Sequence, residues 1–146
     1  KEGLSFSLAI LDLDHFKHIN DEYGHGMGDQ VLSAAANSFK RISRPCDSLF
    51  RYGGDEFVAI IRSEDSSEAL QIIQRMVESV DRIVLASTTG EVRITCSAGL
   101  VGPSASVSIL EPSQVLEFAD RALYHAKRQG RNRAGSVDPA VEGECQ

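Results

Sequence analysis

Asp12 and Asp14 stand two residues apart at the end of an apolar run, Phe6 to Leu11. In an extended strand that spacing puts both carboxylates on one side and Leu13 on the other. Two carboxylates at the mouth of a buried strand repel unless a cation lies between them. Hard divalent ions such as magnesium accept such oxygen ligands and keep substrate phosphates as further partners. A strand end reaching solvent with two surface acids is the plainer alternative. A second acidic pair, Asp55-Glu56, follows Arg51-Tyr52-Gly53-Gly54. Bare glycines at a hairpin tip let a ligand approach the backbone, although a plain hairpin with an acidic tip has the same sequence. If this hairpin lies beside the first strand, Asp12 and Asp55 converge. Two metals about 4 Å apart, held by such acids, suit in-line attack on a phosphate. A third group, Lys127, Arg128, Arg131 and Arg133, surrounds the end of the last helical segment. Cations there complement the helix dipole or clamp a polyphosphate.

Other chemistries find no support. Gly24, Gly26 and Gly28 fit neither the P-loop nor the dinucleotide spacing. His15, His18, His25 and His125 make no zinc spacing, and Ser97 lacks a nucleophile-elbow context. Lys+Arg 15 against Asp+Glu 21 gives a net charge of −6, which disfavours broad binding to nucleic acid or anionic membrane. No apolar run is long enough for a transmembrane span. Cys46, Cys96 and Cys145 form no zinc or disulfide framework, so a reduced, cytoplasmic setting is expected. The chain begins with Lys1 and has no signal-peptide pattern, as expected of a piece of a longer protein.

The elements that must position these groups follow from periodicity. Phe6–Leu11 reads as a buried central strand, and His15–Tyr23 as a short helical or irregular piece. Gly24–Gly28 reads as a loop, with Asp29 capping a helix that stops near Arg44, before Pro45. Ser48–Tyr52 and Asp55–Ile61 read as a hairpin turning at Gly53-Gly54. Ser66 or Ser67 caps the next helix. Ile83–Leu85 and Val92–Val101 read as strands, and Pro112-Ser113 opens the final helix, with Gly130 at its C-terminal cap. Past Gly135 the sequence is polar and aperiodic. Hairpin strands among amphipathic helices give an α+β or mixed α/β sandwich.

As a set, these residues resemble the GGDEF domain of diguanylate cyclases, from about Phe6 to Asn132. The motifs occur in the family's order. Asp12-Leu13-Asp14-His15-Phe16-Lys17-His18-Ile19-Asn20-Asp21 is followed by Gly24-His25-Gly26-Met27-Gly28-Asp29 and the signature Gly53-Gly54-Asp55-Glu56-Phe57. Ser97-Ala98-Gly99, Ala119-Asp120-Arg121-Ala122-Leu123-Tyr124 and Ala126-Lys127 through Gly130-Arg131-Asn132 complete the set. The family's D-x-L-T-x-L-x-N-R segment, usual before the first strand, is not in this sequence.

The resemblance implies a domain over residues 1–134 and a flexible tail over 135–146. It implies a palm-like mixed sheet flanked by helices, as in class III nucleotide cyclases. It also implies condensation of two GTP to cyclic di-GMP with release of two pyrophosphates, across a homodimer. Asp12, the Leu13 carbonyl, Asp55 and Glu56 match the ligands of two magnesium ions, with manganese as the substitute. Asp55, Lys17 and Glu56 match the catalytic group. Asn20 and Asp29 match the guanine-reading pair, and His25 belongs with the substrate-binding residues. The amides near His15 and Phe16, with Lys127 and Arg131, match the triphosphate site. Arg44-Pro45-Cys46-Asp47 has the family's R-x-x-D pattern, which binds product and inhibits, and Arg75 matches a supporting arginine. The alternative is a module that binds GTP or cyclic di-GMP without turnover.

Overall fold

The computed structural model describes residues 5–102 and 110–139. The order of elements is β1 (Phe6–Leu13), α1 (Phe16–Tyr23), α2 (His25–Ile42), β2 (Ser48–Arg51), β3 (Glu56–Arg62) and α3 (Ser66–Asp81). Then come β4 (Val84–Ser87), β5 (Gly90–Arg93), β6 (Cys96–Val101), α4 (Pro112–Arg128) and β7 (Ala134–Val137). Five strands form one sheet in the order β2-β3-β1-β6-β7, and β4 and β5 form a separate hairpin. The β6–β7 pair is parallel, and every other pair is antiparallel.

β1 lies between β3 and β6, so both of its edges are paired, and a core covers each of its faces. Leu11 and Leu13 join Phe39, Phe57, Ile73 and Met76 in the larger core, on the side of α1, α2 and α3. Ile10 points the other way and packs with Val58, Val101, Val115 and Leu123, beneath α4. This alternation is the two-residue period of a strand apolar on both faces. The mixed α/β sandwich read from the sequence is the architecture observed. No helix among the described residues is long and apolar enough to cross a membrane.

Five local expectations are corrected. Gly24–Gly28 is not a loop. α2 begins at His25, and Asp29 lies inside the helix. A Cβ at Gly28 would stand 1.8 Å from Asn20 Oδ1 of α1, so a larger residue there must push the Asn20 side chain aside. The acidic hairpin is not a two-residue turn, because neither Gly53 nor Gly54 has the positive φ that such a turn requires. The Tyr52 and Gly53 amides instead both donate to the Glu56 carbonyl, at 2.8 and 3.2 Å. The stretch Val92–Val101 divides into β5 and β6, which belong to different sheets. Finally, residues 134–137 form β7 where the sequence predicts an aperiodic tail. Its backbone pairs with β6, and pairing of this kind leaves no mark in side-chain periodicity. The remainder of that tail, with Cys145, lies outside the described residues. Asp65, rather than Ser66 or Ser67, caps α3, its side chain accepting from the Ser67 amide at 2.8 Å.

Gly99 sets how closely α4 approaches the sheet. A Cβ at this position would lie 2.2 Å from both the Ala119 carbonyl oxygen and the Leu123 nitrogen, which are backbone atoms of α4. Gly99→Ala is therefore expected to destabilise the fold by about 1–3 kcal/mol through overpacking. Denaturant unfolding checks this as a lowered midpoint at unchanged slope.

Candidate active site

The end of β1 carries Asp12 into the protein. Register places Asp12 opposite Glu56 on β3 and Ser97 on β6. One residue on, the Leu13 amide donates to the Asp55 carbonyl at 3.1 Å, which fixes the hairpin against the strand end. The Arg51 guanidinium closes the hairpin loop, donating to the Gly53 and Gly54 carbonyls at 3.1 and 2.7 Å. Arg51 received no role from the sequence; its place two residues before Gly53 was the available signal.

Lys127, in the last turn of α4, donates from Nζ to Asp12 Oδ2 at 2.5 Å. The other oxygen, Asp12 Oδ1, is buried and has no hydrogen-bond partner among the described residues. Burial pushes the Asp12 carboxyl up from its ordinary value, Lys127 opposes this, and the charge of Asp55 adds to it. Glu56 is also raised, by burial first and then by Asp12, Asp120 and Asp55. Three acids thus crowd one ammonium, and the balance is negative. Among the described residues no three His, Cys, Asp or Glu side chains gather closely enough to hold an ion alone.

Asp14 has a different task from Asp12. It accepts from Thr95 Oγ1 at 2.7 Å, Ser97 Oγ at 2.8 Å and the Asn132 amide at 3.2 Å. These bonds brace the turn after α4, where Arg131 and Asn132 hold left-handed backbone at φ 62 and 51. Arg131, exposed in this turn, lies four residues after Lys127.

His15 also has left-handed backbone, at φ 55, and turns the chain from β1 into α1. The first amides of α1 have no acceptor within their own helix, and such amides favour an anion. Phe16 is buried beneath them, while His15 and Lys17 are exposed. Asn20 lies against Gly28, next in sequence to the exposed Asp29, with His25 at the start of α2. Beside Glu56 and Lys127, an open cavity of about 430 Å³ is bounded by Asp120 and Tyr124 of α4. Asp120 lies near enough to influence Glu56, a contact the sequence reading missed.

Arg44 and Asp47 are not part of this site. They contact Arg62, whereas Asp12 faces Glu56, six residues earlier on the same strand. The separation along β3 is about 20 Å. Arg75 is exposed on α3.

With this geometry, the comparisons with known proteins are specific. Residues 1–133 match the family described as diguanylate cyclase, GGDEF domain.

The chain belongs to the GGDEF family.

Diguanylate cyclase DgcZ of Escherichia coli is 36% identical over 141 residues, covering 94% of this GGDEF chain and 45% of DgcZ. Diguanylate cyclase A of Treponema denticola is 35% identical over 129 residues, covering 88% of this chain and 34% of the relative. The chain thus spans less than half the length of these relatives. The GGDEF domain of DgcB from Caulobacter crescentus, solved in complex with c-di-GMP, superposes with a TM-score of 0.83 at 35% identity. The match covers 92% of this chain and 78% of that one. Diguanylate cyclase SiaD from Pseudomonas aeruginosa, solved with its activator SiaC, gives 0.86 at 32% identity, over 94% and 52%.

The acid crowding has a measurable cost. Glu56 holds its proton more tightly folded than unfolded, so its contribution to stability falls as pH rises above the ordinary value of 4.5. Glu56→Gln is expected to raise the thermal midpoint at pH 7 in the presence of a chelator. The gain should vanish below about pH 4, where the carboxyl is protonated in both states. Paired melts across pH check this.

Proposed function

We propose that this GGDEF domain condenses two GTP molecules into cyclic di-GMP. Two copies meet face to face, each holding one GTP. The 3′-oxygen of one ribose forms a bond to the α-phosphorus of the other nucleotide. The bond from that phosphorus to the bridging oxygen breaks, and pyrophosphate leaves. The second half-reaction repeats this and closes the ring.

The observation that carries the reading is the meeting of Asp12, Asp55, Glu56 and Lys127 at one strand end, beside the start of α1. The buried Asp12 Oδ1, unpartnered among the described residues, and the surplus of acid fit a divalent cation. Asp12, the Leu13 carbonyl, Asp55 and Glu56 would hold Mg2+ or Mn2+, two ions per site. Substrate phosphates complete such a coordination shell, as is usual for magnesium. When bound, the ions supply charge neutralisation at the α-phosphate and acidify the 3′-hydroxyl. The first amides of α1, with Lys127 and Arg131, hold the triphosphate. Lys17 stabilises charge that builds on the transferring phosphate. Asp55 stands near the attacking hydroxyl as proton acceptor, helped by Glu56. Asn20 and Asp29 read guanine, and His25 borders their site. Asp29 accepts from the N1 and N2 donors, a pair adenine lacks. Arg44 and Arg75 bind product and inhibit, and Asp47 holds the Arg44 guanidinium in place for it.

The deciding experiment is turnover of GTP with magnesium at several protein concentrations. Product is identified by mass and removed by a phosphodiesterase. Cyclic di-GMP is expected, with a rate that rises faster than linearly in protein. Silence at every concentration, and in a fusion that forces pairing, would leave a GTP- or cyclic di-GMP-binding module instead. Asp55→Ala is expected to bring synthesis below detection in the same assay. Asp29→Ser should lower the preference for GTP over ATP in kcat/KM by about 10- to 100-fold, the loss of hydrogen bonds to a charged acceptor. Competing-substrate kinetics measure that ratio.

A further inference from the structure

Arg44 is not a free arm awaiting a ligand. Its Nε and Nη2 grip the Asp47 carboxylate at 3.1 and 3.0 Å. Nη2 also donates to the Arg62 carbonyl at 2.6 Å. The Arg44 amide donates to Asp47 Oδ2 at 2.9 Å, and the Arg62 amide to Oδ1 at 3.3 Å. The Asp47 side chain is wholly buried in this clasp. Burial alone would raise its carboxyl; the bonds from Arg44 and the Arg62 amide outweigh that and hold it below the usual range. This part of the motif ties the α2–β2 connection to the end of β3.

The remaining arm has a different partner. Arg44 Nη1 donates to Glu68 Oε1 at 2.7 Å, and the Glu68 side chain is half exposed. Glu68 is thus the most replaceable acceptor on the guanidinium. A carboxylate and a phosphodiester present the same kind of anionic oxygens to such a fork. Glu68 and Arg75 are seven residues apart on α3, which puts them on one face about 10 Å apart along the axis. Glu68 thus touches Arg44 and shares a face of α3 with Arg75.

We propose that Glu68 is a built-in competitor of the inhibitory product. It occupies the outer arm of Arg44, and a phosphate of cyclic di-GMP must displace it to bind. The clasp to Asp47 stays in place. Glu68 therefore sets the product concentration at which inhibition begins. This rests on the reading of Arg44, Asp47 and Arg75 as a product site.

The test is calorimetric titration of cyclic di-GMP into the whole chain and its variants. Glu68→Gln keeps the length of the side chain and removes its charge, and Glu68→Ala removes the contact. Both are expected to bind about two- to five-fold more tightly, the worth of an exposed ion pair no longer competing. Glu78→Gln, on the same helix but without contact to Arg44, is expected to match the parent. Thermal melts confirm that each variant is folded. If the Glu68 variants bind as the parent does while Arg44→Ala abolishes binding, the product site stands and the competitor is overturned. An equal gain from Glu78→Gln would also overturn it, in favour of overall charge. If neither the parent nor the Glu68 variants bind, the product site itself falls, and the proposal with it.

Discussion

A carboxylate carried to the buried end of a central strand must be answered by charge from elsewhere. Asp12 is that carboxylate, and the rest of the site is arranged around it. β3 brings more acid, in Asp55 and Glu56. α4 brings the answering ammonium, Lys127, which reaches Asp12 Oδ2 and leaves Oδ1 without a partner among the described residues. Burial strengthens each of these interactions, because a low dielectric magnifies attraction and repulsion alike. The site is consequently poised, with more acid than the protein's own cations neutralise. Packing maintains this balance, since Gly99 seats α4 against the sheet with no room for even one methyl group.

The two aspartates of the first motif show how local sequence underdetermines role. Two residues apart on one strand, they have nearly the same neighbourhood in sequence. In the fold Asp14 meets three donors, two hydroxyls and a backbone amide, and is saturated. Asp12 meets one. The difference comes from residues 81 to 118 positions away, and no window along the chain contains it. Asp14 supports the site indirectly, by holding the left-handed turn at Arg131 and Asn132.

Much of the fold was legible because it depends on local period. The double-sided apolar run of β1 and the stripes of α2, α3 and α4 follow from residue order, whereas the pairing of the acidic hairpin with β1 entered only as a condition that the register meets. The misread places share a cause. Gly24, Gly26 and Gly28 look like a loop because glycine weakens helices, yet Gly28 serves the packing of α2 on Asn20. Val92 to Val101 looks like one strand because its apolar residues alternate through the break at Ile94 and Thr95. β7 is placed by backbone pairing with β6, which no periodicity announces. Of the candidate site, the residue types were readable from the motifs. The Lys127–Asp12 contact, the bracket on Asp14 and the closeness of Asp120 to Glu56 were not, since each is long-range. Likewise, R-x-x-D gives no sign that Arg44 is already held on three sides.

The distance along the chain between Asp12 and Lys127 also bears on how the protein is made. The two are 115 residues apart. At ordinary rates of synthesis the first emerges from the ribosome roughly 6–23 seconds before the second. During that interval β1, α1, α2 and the acidic hairpin exist without α4, and one face of the sheet has no cover. The acids at the end of β1 then have no lysine to meet them and are best left hydrated. The closing helix delivers the apolar cover and the counter-charge together. The nascent domain therefore cannot complete its core without also completing its site.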